Sequence, residues 1–309
     1  MRQVGLIFLA CYILIIASAE KGSAQMKNAN QELIGMHLKH LVGERTSGLS
    51  DKHLGYVFHY IQQTLESFGY EIELDSFPFN GETFQNIIAR KKGEKSDERI
   101  IVGAHFDSVP DSPGADDNAS GVAAMLELAR ILADRKWNHT VEFVGFNLEE
   151  RYMIGSTAYV EKLKHNHIRV RGMISLEMVG FATDKPKSQK MPFGFGLFYP
   201  NTGNFIAIVG NVRSWKLLNK FKSKMKETKN LPVESLLIPL NGIPLPPVRW
   251  SDHSPFWDAG YPALLITDTS FYRNPHYHGP KDTIETLNLD FIRKVTDGVA
   301  QALIALDES

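Results

Sequence analysis

The stretch Ile100-Ile101-Val102-Gly103-Ala104-His105-Phe106-Asp107 sets the fold of this chain. Its first five residues carry no polar side chain. A short run that is apolar at every position is what a strand buried on both faces requires. Such strands belong to parallel sheets covered by helices. The run then ends on a histidine and an aspartate. Strand side chains alternate, so His105 and Asp107 project to one side. Asp107 can then accept the free ring N–H of His105, which fixes the tautomer and raises basicity toward a metal. An ordinary polar surface pair has the same look, and the stretch alone leaves that open.

Outward from this strand, residues 71–77, 86–90, 141–146, 173–178, 204–210 and 262–267 read as further strands. Helical spacing marks 54–68, which stops at Gly69, and 118–134, where Val122, Met125, Leu126, Ala129 and Leu132 share one stripe. Residues 155–164, 215–228 and 291–306 read as helices too. Strands separated by helices predict a single three-layer α/β domain. Its sheet should be mostly parallel, mixed and twisted, with helices on both faces. A length of 309 residues suits one large domain of this kind. Two stretches, 185–204 and 239–251, read as long loops rich in proline, glycine and aromatics. Loops of that length in a compact domain are often functional.

The N-terminus is separate. Arg2 precedes an apolar run over 4–17 and then Ala17-Ser18-Ala19, the pattern of a secretory signal peptide. The run is shorter than the roughly 20 residues a spanning helix needs. Residues 1–24 are therefore expected to be removed, after Ala19 or Ala24, leaving 25–309 as the mature folded domain with no stable membrane insertion. The one cysteine, Cys11, lies inside that segment. The mature chain then has no thiol nucleophile, no disulfide and no Cys-ligated zinc. An exported chain without disulfides suits a bacterial periplasm or exterior. A net charge of −1 argues against nucleic acid as the main partner. The run Arg90-Lys91-Lys92, followed by Glu94, Asp97 and Glu98, reads as a solvated loop.

Metal-type side chains recur after the strands. Asp116 and Asp117 follow His105 and Asp107, Glu149 and Glu150 follow 141–146, Glu177 ends 173–178, and His276 and His278 follow 262–267. Parallel strands would bring these ends to one rim, where such sheets bind ligands. Carboxylates with imidazole suit zinc, with cobalt or manganese as alternatives, and a shared carboxylate can bridge two ions. Asp116 is expected to cap the helix that follows, whereas Asp117 is open to metal. Adjacent Glu149 and Glu150 can divide roles, one ligating and one handling a proton. Spacing leaves either His276 or His278 as ligand, with both expected on one strand face. Asp282 is expected to support His278. Tyr277 can donate to an oxyanion or simply pack. Ser251-Asp252-His253 reads as a buried polar network near the site, since no G-x-S-x-G elbow accompanies it. His37, His40, His53, His59, His139, His165 and His167 are expected at the surface.

Together the segments Ala104-His105-Phe106-Asp107-Ser108, Gly114-Ala115-Asp116-Asp117-Asn118, Glu149-Glu150 with Gly155-Ser156, Ser175-Leu176-Glu177-Met178, and Tyr277-His278 with Asp282-Thr283 resemble the two-zinc exopeptidases of clan MH. That family includes bacterial leucyl aminopeptidases and glutamate carboxypeptidase-like proteins. The resemblance implies two Zn2+ per chain and peptide substrates. It implies that His105 binds the first zinc, Asp117 bridges, and Glu150 and His278 hold the second. Glu149 would be the general base, Tyr277 the oxyanion donor, and Asp107 the support of His105. Glu177 stands where the family usually has aspartate as a first-zinc ligand. Arg151-Tyr152-Met153 replaces small apolar residues and is expected to alter the pocket wall. Phe193, Phe195, Phe198, Phe271 and Tyr272 are candidates for an apolar pocket. Two other functions share this set: a one-zinc glutaminyl cyclase, and an inactive zinc-binding receptor relative. The paired glutamates disfavour the first and the retained base disfavours the second.

Overall fold

In the chain's computed structural model, which describes residues 27–46 and 51–309, eight strands form one sheet. They are β1 (Glu71–Phe79), β2 (Glu82–Lys91), β3 (Ser96–His105), β4 (His139–Phe146), β5 (Val170–Glu177), β6 (Ile206–Asn211), β7 (Val233–Ile238) and β8 (Ala263–Thr267). Their order is β1-β2-β4-β3-β5-β8-β6-β7. The central β4, β3, β5 and β8 are mutually parallel. Antiparallel β1 and β2 extend one edge. On the other edge β6 is antiparallel to β8 and β7 runs parallel to β6.

Both faces are covered, which is why β3 is apolar at consecutive positions. Ile100, Val102 and Ala104 face a layer made by α1 (Gln31–Leu41), α2 (Asp51–Ser67), α3 (Gly121–Leu132), α5 (Trp215–Met225) and α7 (Leu289–Asp307). Ile101 faces the opposite core with Phe146, Tyr159, Phe256 and Trp257, beneath α4 (Ile154–His165) and α6 (His253–Asp258). The result is the expected three-layer arrangement, with the carboxyl ends of β3, β4, β5 and β8 on one rim.

Several expectations change. Helix α3 begins at Gly121, because residues Ala115–Ser120 form a separate turn that contains non-helical Asp117 and Asn118. Helix α1, capped by Asn30, and the short β7 and α6 were not anticipated. Arg90 and Lys91 belong to β2, and Arg90 is ion-paired at 2.7 Å to Glu73 and 2.6 Å to Glu142, so that run is not a free loop. His37 is buried, with Nδ1 2.7 Å from the Tyr60 hydroxyl, rather than at the surface. The segment 1–24 assigned to a signal peptide lies outside the described residues. Among the described residues no helix is long and apolar enough to cross a membrane.

Candidate metal centre and substrate cavity

His105 is the last residue of β3 and is buried. Its Nε2 lies 3.3 Å from Asp117 Oδ1 and 3.4 Å from Glu177 Oε2. Across the site, His278 Nε2 lies 3.1 Å from Asp117 Oδ2 and 3.4 Å from Glu150 Oε2. Asp117 therefore gives one oxygen to each of two groups, His105–Asp117–Glu177 and Asp117–Glu150–His278. Ligand atoms about 2.1 Å from a zinc ion at tetrahedral angles stand about 3.4 Å apart. The histidine–carboxylate separations in both groups are close to that spacing, and all ligand atoms of each group lie within 4.8 Å of one another, so the residues present fit zinc. Glu150 Oε1 is buried without a hydrogen-bond partner among the described residues, which a cation would relieve.

The electrostatics agree. Burial raises the carboxyls of Glu149 and Glu177, and burial with Asp117 beside it raises Glu150 to about 7. Burial alone would lower His105, but Glu177 and Glu149 outweigh it and hold the imidazole well above its usual value. His278 is likewise pushed up to about 10 by Asp117 and Glu150 against burial. Burial opposes ionisation of Asp117, yet its bonds to both histidines keep its carboxyl well below the usual range. Without metal, Glu150 and both histidines thus bind protons more tightly than usual, and a divalent ion would displace them.

Supports hold this geometry. Asp107 lies 3.4 Å from His105 Nδ1, and its two oxygens accept from the backbone N–H groups of Glu149 and Glu150 at 3.1 Å each. One carboxylate therefore holds the paired glutamates after β4 and faces the Nδ1 of His105 on β3, which has no hydrogen-bond partner among the described residues. Asn118 ties the Asp117 turn to β5, donating to Leu176 O at 2.8 Å and accepting from Met178 N at 3.0 Å. Ser251 Oγ donates to Glu177 Oε2 at 2.9 Å, which aims the longer side chain at His105. Asp252 is fully buried beside these acids and is raised to about 7 by burial.

Four expectations are corrected. Asp116 does not cap α3. Its carboxylate accepts from Gly180 N at 2.9 Å and Asn274 Nδ2 at 2.8 Å, behind the site. Asp282 does not support His278, but accepts from the N–H groups of Asp116 and Asp117 at 3.0 and 3.1 Å. Residues 276–278 form a turn rather than a strand, and His276 packs near Phe181 instead of joining the cluster. His253 stands apart from the Ser251 network, with Nε2 2.8 Å from Val248 O.

Beside the two groups opens a cavity of about 610 Å³. Asp117, Glu149, Glu150, Glu177, Tyr277 and His278 form its metal end. The two long loops supply walls through Met191, Phe195, Tyr199, Leu245 and Trp250. Tyr152 and Met153 join them, as do Phe271 and Tyr272, whereas Phe193 and Phe198 point to solvent. Tyr277 stacks on His278 with centroids 3.7 Å apart. Arg45 and the sheet floor of Ala207, Val209 and Leu265 carried no sequence signal that marked them as part of the site.

Carboxylates and imidazoles at the carboxyl ends of parallel strands, opening on an apolar cavity, define a metal-dependent hydrolase. The chain belongs to peptidase family M28, whose profile matches residues 86–303. It is 36% identical over 258 residues to the uncharacterized protein YfbL of Escherichia coli, covering 79% of this chain and 78% of that one. It is 30% identical over 235 residues to aminopeptidase YwaD of Bacillus subtilis, covering 73% of this chain. There it spans 45% of the relative, under half its length. Among solved structures, the LapA aminopeptidase of Legionella pneumophila superposes with a TM-score of 0.71 at 18% identity, over 91% of this chain and 73% of that one. That likeness concerns the fold.

Proposed function

We propose that this chain is an exported zinc aminopeptidase holding two zinc ions, with residues 25–309 as its catalytic domain. The observation that carries the metal count is Asp117, whose two oxygens face two separate His–Glu pairs. His105, Asp117 and Glu177 would hold one ion, and Asp117, Glu150 and His278 the other. The aminopeptidase assignment follows the family and the name of YwaD.

Zinc bound here supplies Lewis acidity toward the scissile carbonyl and brings a water's pKa to about 7. The chain's own residues do the rest. With Asp117 and Glu177 around His105, and Asp117 and Glu150 beside His278, Glu149, 3.9 Å from His105 Nε2, is the carboxylate left to handle a proton, although it too is spaced to share an ion with His105 and Glu150. Its raised affinity for that proton lets it take one from water and return it to the leaving amine. Tyr277 keeps its hydroxyl proton, because burial and four carboxylates push its ionisation up, and it donates to the developing oxyanion. The apolar cavity takes the side chain of the first residue.

A one-zinc cyclase would use Asp117, Glu150 and His278 and leave Glu177 idle, yet Ser251 holds Glu177 against His105. An inactive receptor would not need a buried base beside intact ligands. The test is zinc analysis together with turnover of aminoacyl-nitroanilides. Two zinc ions per chain and chelator-sensitive release are expected. Glu149→Gln should keep both ions and lose about 10²–10⁴-fold in kcat; an equally active variant would remove Glu149 as base.

A further inference from the structure

Arg45 follows α1 and is 1% exposed. Its guanidinium donates to six backbone carbonyls: Nε to Phe106 at 2.7 Å, Nη1 to Leu41, Gly43 and Pro113 at 2.9, 2.7 and 2.8 Å, and Nη2 to Gly114 and Asp117 at 2.9 and 3.5 Å. The backbone adds to the grip. Arg45 N donates to Ser108 Oγ at 2.9 Å, and Thr46 Oγ1 donates to Ser108 O at 2.9 Å. Arg45 therefore binds segment 106–108, which follows His105 and contains Asp107, to segment 113–117, which ends on Asp117. The approach is close. Gly114 has φ +60°, and a Cβ there would stand 2.6 Å from Nη2.

A buried guanidinium is expensive unless its charge is balanced. Capping carbonyls alone would not require a cation. Burial lowers Arg45 to about 10, and the fields of Asp117, Asp107, Asp282 and Glu150 oppose that loss, so it stays charged at neutral pH. The same positive charge eases the mutual repulsion of those acids.

We propose that Arg45 is a positioning residue of the metal centre: its planar fork locks the two ligand-bearing segments at the separation two metal ions need. It touches no substrate and acts through His105, Asp107 and Asp117. The role rests on the metal reading above. Lysine cannot replace it, since three donors on one nitrogen cannot reach six carbonyls spread over separate segments.

The test compares wild type, Arg45→Lys and Leu303→Ala, a remote core truncation that lowers stability without touching the site. In metal-free protein, amide exchange over 106–117 should quicken at least tenfold in Arg45→Lys and not in Leu303→Ala. Zinc affinity, measured against a competing chelator, should fall about 10–100-fold in Arg45→Lys alone. If Arg45→Lys does not fold, Thr46→Val, which removes one bond of the grip, should move both readouts a smaller step the same way. Unchanged exchange, or zinc affinity equal to that of Leu303→Ala, overturns the proposal. Wild-type protein that binds no zinc would instead sink the metal reading, and the positioning role with it.

Discussion

At the scale of single residues, the centre depends on side chains that do two jobs at once. Asp107 is the clearest. It faces the ring nitrogen of His105 that points away from the ligand group, and accepts two backbone N–H bonds from the glutamate pair. Asp107→Ala should leave both amides unpaired and free the imidazole to rotate. Outer supports of this kind are typically worth 10–100-fold in metal affinity. Zinc titration should show that loss in the group containing His105, and full affinity would contradict the support role. Ser251 makes a narrower case. Its hydroxyl is what holds Glu177, one methylene longer than the usual aspartate, in line with His105. If two zinc ions bind as proposed, Ser251→Ala should weaken the one held with His105, so that a competing chelator strips it first, while leaving Glu150 and His278 untouched. Much of this level was legible. Residue type and position after a strand were enough to nominate His105, Glu149, Glu150 and Glu177. Arg45 was not, because its partners are carbonyls as many as 72 positions away, and a carbonyl has no residue identity to read.

At the scale of elements, what matters is how the strand ends are joined. The turn Ala115–Ser120 carries Asp117 over β5 and hands the chain to α3. Its anchor is Asn118, which bonds Leu176 O and Met178 N on or beside β5. Gly121 permits the approach: a Cβ there would collide with Leu176 O and the Asn118 amide. Gly121→Ala should therefore part α3 from β5, with a loss of about 1–3 kcal/mol. The loss would appear in chemical denaturation, and zinc affinity should fall with it; an unchanged midpoint would refute the tight fit. The sequence showed α3 as a stripe but could not show this turn. Acids before a helix look the same whether they cap it or, as Asp116 does, bond Gly180 and Asn274 across the domain. The 276–278 turn hid for a similar reason. Histidines two apart imply one strand face, but His278 has φ +56°, and the turn sends only His278 to the cluster.

At the scale of the whole molecule, the site concentrates buried acid where the sheet's parallel ends meet, and that charge links metal, pH and stability. In metal-free protein Glu150, Asp252 and Asp282 are raised to about 7, each chiefly by burial, and His278 is raised to about 10 by Asp117 and Glu150. Each of these groups binds its proton more tightly folded than unfolded. Their contribution is therefore present at low pH and lost as pH rises through the folded value. Two buried histidines have the opposite sign. Burial lowers His37 to about 4 and His253 to about 3, so they weaken the fold only as pH falls below about 6.5. Above that pH both are neutral folded and unfolded, and the raised groups dominate up to about pH 9, where Arg45 and Arg273, lowered by burial to about 10, only begin to oppose them. Every proton held by the folded state but not the unfolded one lowers stability by about 1.4 kcal/mol per pH unit. Chelated protein should thus melt at progressively lower temperature from pH 6.5 to 9. Zinc replaces the site's protons and binds only the folded centre, so its stabilising increment should grow over the same range. Thermal melts with chelator and with excess zinc at each pH measure both. A chelated melting temperature that stays level or rises from pH 6.5 to 9 would show that the acid cluster is not strained without metal.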